Sequence, residues 1–187
     1  MQANQESEAI IRLKQGDIGG LETLVRLHQT KAIRASYLIS YNYTLAEDIV
    51  QAAFLRAYEQ IAQFDARRPF GPWFMRIVVN DTLMSVTRRR WLSLDHESGA
   101  GAAQLPALTT DVAERLEAAE TREAVWAALD RLSPHQRAAV VMRYYLDLSD
   151  AEISARLSVP QGTVRRRLHD ARERLRTLLR RDLGFGI

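Results

Sequence analysis

The sequence predicts an all-α chain of two small helical domains joined by a flexible acidic linker. Three observations carry that prediction. Apolar residues recur at intervals of three and four through most of the 187 residues, the period of a helix with one buried face. Helix-start signals, Ser or Thr followed three residues later by Glu or Gln, stand at Thr44, Ser133 and Ser149. From Ser93 to about Asp111 that period stops, and the composition turns to Gly, Ala, Ser, Pro and acid, as in a linker. The boundaries fall at 1–92, 93–117 and 118–187.

Composition narrows the function. The chain has no cysteine, which excludes disulfides and cysteine-ligated zinc. His28, His96, His135 and His169 lack metal-ligand spacing and read as surface or structural residues, so neither metal nor cofactor is expected. No apolar run is long enough to span a bilayer, and MQANQESEA lacks the basic and apolar parts of a signal peptide. A cytoplasmic protein without membrane insertion is expected. The net charge of +3 is unevenly spread: residues 1–92 hold 12 basic and 9 acidic side chains, 93–117 hold 1 and 5, and 118–187 hold 13 and 9. All basic residues except Lys14 and Lys31 are arginine, whose planar fork suits phosphate and guanine.

In chain order, Ser7 to Gln15 reads as a short helix closed by Gly16. A longer one runs from about Ile18 to Ser40 on Leu21, Leu24, Val25, Leu27 and Ala32 or Ile33. Tyr41, Asn42 and Tyr43 break the pattern before the Thr44–Glu47 box opens a third helix. Ala46, Val50, Ala53, Phe54, Ala57 and Ile61 form its core stripe, while Asp48, Gln51 and Leu55 line up with Glu59 on another face. That mixed face suits contact with a partner protein. The same wheel also fits a helix buried nearly all round with Asp48 and Gln51 solvated, and both readings stay open.

Phe64 to Pro72, FDARRPFGP, reads as a loop in which arginines and phenylalanines interleave, with Pro72 at the first position of the next helix. Helix Trp73 to Arg90 buries Met75, Val79, Leu83 and Val86, and turns Trp73, Arg76, Asn80 and Thr87 to another face. Aromatics beside arginine and amide groups suit the stacking of unpaired bases, and Arg88, Arg89 and Arg90 suit phosphates. Alternatively, Trp73 and Phe74 are core aromatics and the three arginines favour the helix C-terminus.

Helix-forming residues resume near Val112 and continue to Leu132, with Val125, Trp126, Leu129 and Leu132 toward a core. Ser133, Pro134 and Gln136 start a helix that reaches Leu146. Ser149 and Glu152 then open the first of two short helices separated by a turn at Ser158 to Pro160. The second carries Val164, Leu168, Ala171 and Leu175 as one apolar stripe. This is the pattern of a helix-turn-helix, whose second helix enters the DNA major groove. Thr163, Arg166, His169 and Asp170 point away from the stripe, toward bases, and Arg165 and Arg167 lie on the flanks, toward phosphates. An α-helical hairpin with a solvated arginine face is the alternative.

Four segments then stand in a telling order: AEDIVQAAFLRAYEQI (46–61), FGPWFMRIVVNDTLMSVTRRR (70–90), LSPHQRAAVVMRYYLDLSDAEISARL (132–157) and VPQGTVRRRLHDARERLR (159–176). Together they resemble the bacterial RNA polymerase sigma factors, specifically the extracytoplasmic-function (ECF) group, over nearly the whole chain. The resemblance implies a transcription initiation factor that is not itself an enzyme. Its partners would be core RNA polymerase, promoter DNA and an anti-sigma factor. It assigns Asp48, Gln51, Phe54 and Leu55 to docking on the clamp coiled coil of the polymerase largest subunit; the helical wheel alone puts Phe54 in the core. Phe64, Arg67, Arg68 and Phe70 would hold a flipped −10 base, with Trp73, Arg76, Asn80, Arg88, Arg89 and Arg90 on the same element. Thr163, Arg165, Arg166, Arg167, His169, Asp170 and Arg172 would read the −35 element.

The acidic linker would lie along the polymerase channel and imitate the charge of nucleic acid. Two residues depart from the family's pattern. Asp170 stands where a basic residue is frequent, and either pairs with Arg166 or accepts from a cytosine amino group. Pro72 replaces a small or polar residue. Two other functions fit the same residues: a DNA-binding regulator with an N-terminal ligand or dimerisation domain, and an interaction adaptor with no DNA role.

Overall fold

The structure is a computed structural model that describes residues 2–92 and 123–183, and the chain divides into two units, Met1–Ala100 and Gly101–Ile187. The expected linker at 93–117, His96, and the part of the next helix before residue 123 lie outside the described residues.

In the first unit, α1 (Gln2–Lys14), α2 (Gly19–Ser40), α3 (Tyr43–Gln60) and α4 (Phe70–Leu92) pack around α2, with a 3-10 turn at Ile61–Gln63. The core gathers Ile10, Leu24, Ala35, Ile39, Val50, Ala53, Phe70, Phe74 and Val78. Fully burying a side chain the size of Leu or Phe stabilises by about 1.5–3 kcal/mol, so this stripe and not helix propensity holds the unit. Gly20 sets how close α1 and α2 come: a Cβ there would stand 2.3 Å from the Ala9 carbonyl oxygen. The buried polar pair is satisfied across helices. Thr82 Oγ1 donates to the Val78 carbonyl at 2.7 Å and lies 2.8 Å from Ser36 Oγ, which donates to it.

Three helix starts differ from those expected. α1 begins at Gln2 instead of Ser7, because Gln, Ala and Glu are strong helix formers even where no apolar period marks them. The cap of α3 is Asn42 and not Thr44: Asn42 is extended, and its side chain accepts the Leu45 N–H at 2.8 Å. Tyr41, left-handed at φ 56, closes α2 and makes the corner that frees Asn42 for this role. α4 starts at Phe70, which puts Pro72 in its first turn, where a missing N–H costs no intrahelical bond.

In the second unit, α5 (123–130) leads into α6 (Pro134–Val140), a π turn at Val141–Tyr145, α7 (Asp150–Leu157) and α8 (Gln161–Leu183). Leu132, Ala138, Met142, Ile153, Val164, Leu168 and Ala171 are its core. The single helix expected from Pro134 to Leu146 is therefore an α-helix that widens: the Leu146 N–H reaches back to the Val141 carbonyl. Val125, expected inside, is 36% exposed, while Ala128 takes the buried place. The capping boxes at Ser133–Gln136 and Ser149–Glu152 are both complete. Buried Arg137 reaches Asp130 at 3.2 Å and ties α6 to the end of α5. Among the described residues no helix is long and apolar enough to cross a membrane, and no group of three or more His, Cys, Asp or Glu side chains is placed to hold a metal.

Candidate functional site

Three surfaces gather the residues singled out by sequence. The first is the outer face of α3. Its inner face is fixed by Ala46, Val50, Ala53, Phe54 and Ala57, all buried. Phe54 is 5% exposed and stacks on Phe74 with ring centroids 4.2 Å apart, whereas the next residue, Leu55, is 61% exposed. Asp48 and Gln51 share the outer face with Leu55, as the wheel required. The assignment of Phe54 as a docking contact is corrected here: a ring packed beneath its helix has no face to offer a partner. Sequence reading missed Tyr58, exposed three residues past Leu55 on the same face; the i, i+7 relation to Gln51 was the signal available.

The second surface joins the loop after α3 to the start of α4. Phe64 and Phe70 were expected to meet a base, and the structure corrects both. They are buried in an aromatic cluster, Phe64 edge-on to Phe70 at 5.8 Å and against Trp73 at 4.8 Å, with Phe70 stacked on Phe74 at 5.5 Å. An alternating loop sequence has no period that tells inside from outside. The arginines between them are exposed. Asp65 holds them: its carboxylate accepts from the Arg67 backbone N–H and Nε at 3.1 and 2.9 Å and stands 3.8 Å from Arg68 Nε. The Arg67 side chain, then its backbone N–H, keeps the Asp65 carboxyl below the usual range.

Farther along α4, Trp73, Arg76 and Asn80 lie together, as the wheel predicted, and line an open cleft of about 240 Å³ with Arg56, Ile77 and Asp81. Arg56 reaches across from α3 and donates from Nη1 to both Asp81 oxygens, at 2.8 and 2.7 Å. Arg88 and Arg89, two turns farther along α4, are exposed; the side chain of Arg90 lies outside the described residues.

The third surface is the helix-turn-helix of α7 and α8. Ser149 accepts the Glu152 N–H, and Glu152 Oε2 accepts the Ser149 N–H at 2.8 Å. Ser158, left-handed at φ 53, makes the turn between the helices. Val164, Leu168 and Ala171 bury the inner face of α8 and leave Arg165, Arg166, His169, Asp170 and Arg172 exposed, with Thr163 and Arg167 half-buried.

The three consecutive arginines are not equivalent. Arg165 is drawn to Asp150, 3.4 Å away, which also faces Arg143 at 3.9 Å. Arg166 stands 3.8 Å from Asp170, a loose exposed pair. Arg167 loses solvent and lies beside His135, whose imidazole is held below its ordinary value first by its own desolvation and then by the Arg167 charge. Asp150 was missed by sequence reading because its partner lies across the turn, not on its own helix.

A helix-turn-helix seated on a small helical core, with a separate helical unit ahead of it, defines a two-part DNA-binding protein. Residues 24–92 match the family described as Sigma-70 region 2, and residues 122–175 match Sigma-70, region 4. The chain is 30% identical over 177 residues to the ECF RNA polymerase sigma factor SigW of Bacillus subtilis, covering 91% of this chain and 95% of that one. It is 34% identical over 164 residues to the ECF RNA polymerase sigma factor SigM of Mycobacterium tuberculosis, covering 88% and 79%.

Among solved structures, the sigma factor RpoE from Bartonella quintana, determined with the anti-sigma factor NepR, shares the fold. Its TM-score is 0.69 at 22% identity, over 85% of this chain and 96% of that one. The chain belongs to the ECF RNA polymerase sigma factors. It directs promoter recognition and transcription initiation as a subunit of polymerase, and performs no catalysis itself.

Proposed function

We propose that the two units divide the work of a promoter-specificity subunit as follows. Domain 1–92 docks on the clamp coiled coil of the polymerase largest subunit through Asp48, Gln51 and Leu55, joined by Tyr58. Arg67, Arg68, Trp73, Arg76, Asn80, Arg88, Arg89 and Arg90 of the same domain take the −10 element, with Phe64 and Phe70 shaping that surface from beneath and Phe54 anchoring the docking helix. Domain 118–187 reads the −35 element through Thr163, Arg165, Arg166, Arg167, His169, Asp170 and Arg172, and residues 93–117 link the two. An anti-sigma factor, the kind of partner bound by the RpoE structure, is the regulator to seek, and the cytoplasm is the compartment.

The observation that carries the reading is the joint exposure of Leu55 and Tyr58 beside Asp48 and Gln51 on the face of α3 opposite its buried stripe, a mixed apolar and polar face of the kind that meets a partner protein. Leu55→Asp removes that contact without touching the core. In the full chain, this variant should keep its urea midpoint and lose at least about tenfold in affinity for core polymerase, one poorly tolerated interface residue's worth. Unchanged core binding would move the docking surface elsewhere. Transcription by purified core enzyme on a genomic fragment library then gives the cognate promoter elements from the observed start sites.

A further inference from the structure

α1 precedes the stretch that matches the family, which begins at residue 24, yet two of its side chains reach the two ends of the loop between the 3-10 turn and α4. Glu6 Oε1 accepts the Phe70 N–H at 2.8 Å across 64 residues of sequence. That N–H opens α4 and has no partner within the helix, and a carboxylate beside it is favoured by the helix dipole as well. At the other end, Lys14 Nζ donates to the Phe64 carbonyl at 2.6 Å across 50 residues.

A third residue completes the arrangement. Glu6 Oε2 approaches the buried His28 Nε2 to 2.7 Å without the alignment of a hydrogen bond, so His28 is held chiefly by its ring, which packs on Phe70 and Phe74 with centroids 5.4 and 6.4 Å apart. Glycine at 71 makes room for this: a Cβ would stand 3.1 Å from His28 Cε1 and 3.4 Å from its Nδ1. The loop is thus gripped at both ends through backbone groups. Its exposed arginines, Arg67 and Arg68, lie between the grips.

We propose that α1, together with His28 of α2, is a clasp for the −10 loop, in which Glu6, Lys14 and His28 are positioning residues that hold Arg67 and Arg68 in one register toward the displaced strand. This rests on the reading of loop 64–70 as part of the −10 surface. Glu6 and Lys14 are separable from the fold of α1, which is anchored on α2 by the buried Ala9, Ile10 and Leu13.

The test uses polymerase reconstituted with the full chain, initiating at the cognate promoter and at promoters carrying each base change across the −10 and −35 elements. Glu6→Ala and Lys14→Met should each lower initiation at the cognate −10 sequence by about tenfold and compress the spread between best and worst −10 bases by a similar factor. Core affinity and −35 preferences should not move. Glu6→Gln keeps an acceptor for the Phe70 N–H and should restore most of the discrimination, whereas Gly71→Ala, which presses on His28, should reproduce the loss.

Equal effects on cognate and altered −10 sequences, or none, would overturn the clasp. Should Glu6→Ala or Lys14→Met fail to fold, Gly71→Ala on α4 still decides the matter. Arg67→Ala with Arg68→Ala separates the two ideas. If that pair flattens −10 preference while Glu6→Ala does not, only the clasp fails; if neither does, the loop reading itself is wrong.

Discussion

At the scale of single residues, one step along a helix changes everything a side chain can do. Phe54 and Leu55 are neighbours of similar hydrophobicity, but the 100° turn between them puts one against Phe74 and the other in solvent. The three arginines at the start of α8 separate in the same way. Arg165 is steadied by Asp150 on a flank, Arg166 is exposed with a loose contact to Asp170, and Arg167 is half-desolvated.

An arginine held at the flank suits a phosphate, and one extended from the middle of the face suits a guanine edge. Arg166→Ala should therefore cost about 1–3 kcal/mol of discrimination at one −35 base pair while leaving the others as they were. Arg165→Ala should weaken binding to all sequences alike and lower the slope of log K against log salt by about 1. Salt titrations of holoenzyme on a set of −35 variants distinguish the two, and reversed behaviour would exchange the roles. The exposed geometry of Asp170 leaves it able to accept from a cytosine as well as from Arg166, so the alternatives read from sequence survive at this residue.

At the scale of elements, what the sequence reveals depends on whether a helix end is capped locally. Ser133 with Gln136 and Ser149 with Glu152 were legible because donor and acceptor sit three residues apart. The start of α4 was not legible, since its cap is the carboxylate of Glu6 on another helix. The burial of Phe64 and Phe70 was hidden for a related reason: loop residues carry no period, and only the fold brings His28, Phe74 and Trp73 around them. The buried stripe of α3 was readable, because helical period alone decides it, whereas the same period left open whether the outer face meets a partner or only solvent.

The local caps also titrate. Glu152 is held below its ordinary 4.5, first by the Ser149 hydroxyl and then by the Ser149 N–H, so its ionised form favours the folded state. That stabilisation is present above the ordinary pKa and is lost as pH falls through 4.5 toward the depressed value. Ser149→Ala should cost about 1 kcal/mol near neutral pH. The gap in melting midpoint between the parent chain and Glu152→Gln should narrow steadily on acidification through that window. A gap that stays constant with pH would mean that the carboxylate charge adds nothing to the cap.

At the scale of the whole molecule, the proposed recognition is split between two small arginine-bearing units. Sequence-independent binding by such surfaces is weak and salt-sensitive, with dissociation constants of roughly 10⁻⁴–10⁻⁶ M at physiological salt. Mounting both on polymerase makes the second contact intramolecular, which raises avidity by about 10²–10⁴ with no new interaction, provided both sites can be reached together. On the proposed division of labour, the surface of α8 would then act chiefly to bring duplex promoter within reach of the first unit.

It follows that neutralising Arg165, Arg166 and Arg167 together should leave affinity for core polymerase unchanged and reduce initiation on duplex promoter by about 10²-fold or more. On a template whose −10 strands are already separated, the same variant should lose far less, because the first unit can then engage without duplex capture. Run-off transcription on the two templates measures the ratio directly. Equal losses on both would show that α8 contributes to steps after capture, and an unaffected duplex promoter would remove α8 from promoter reading.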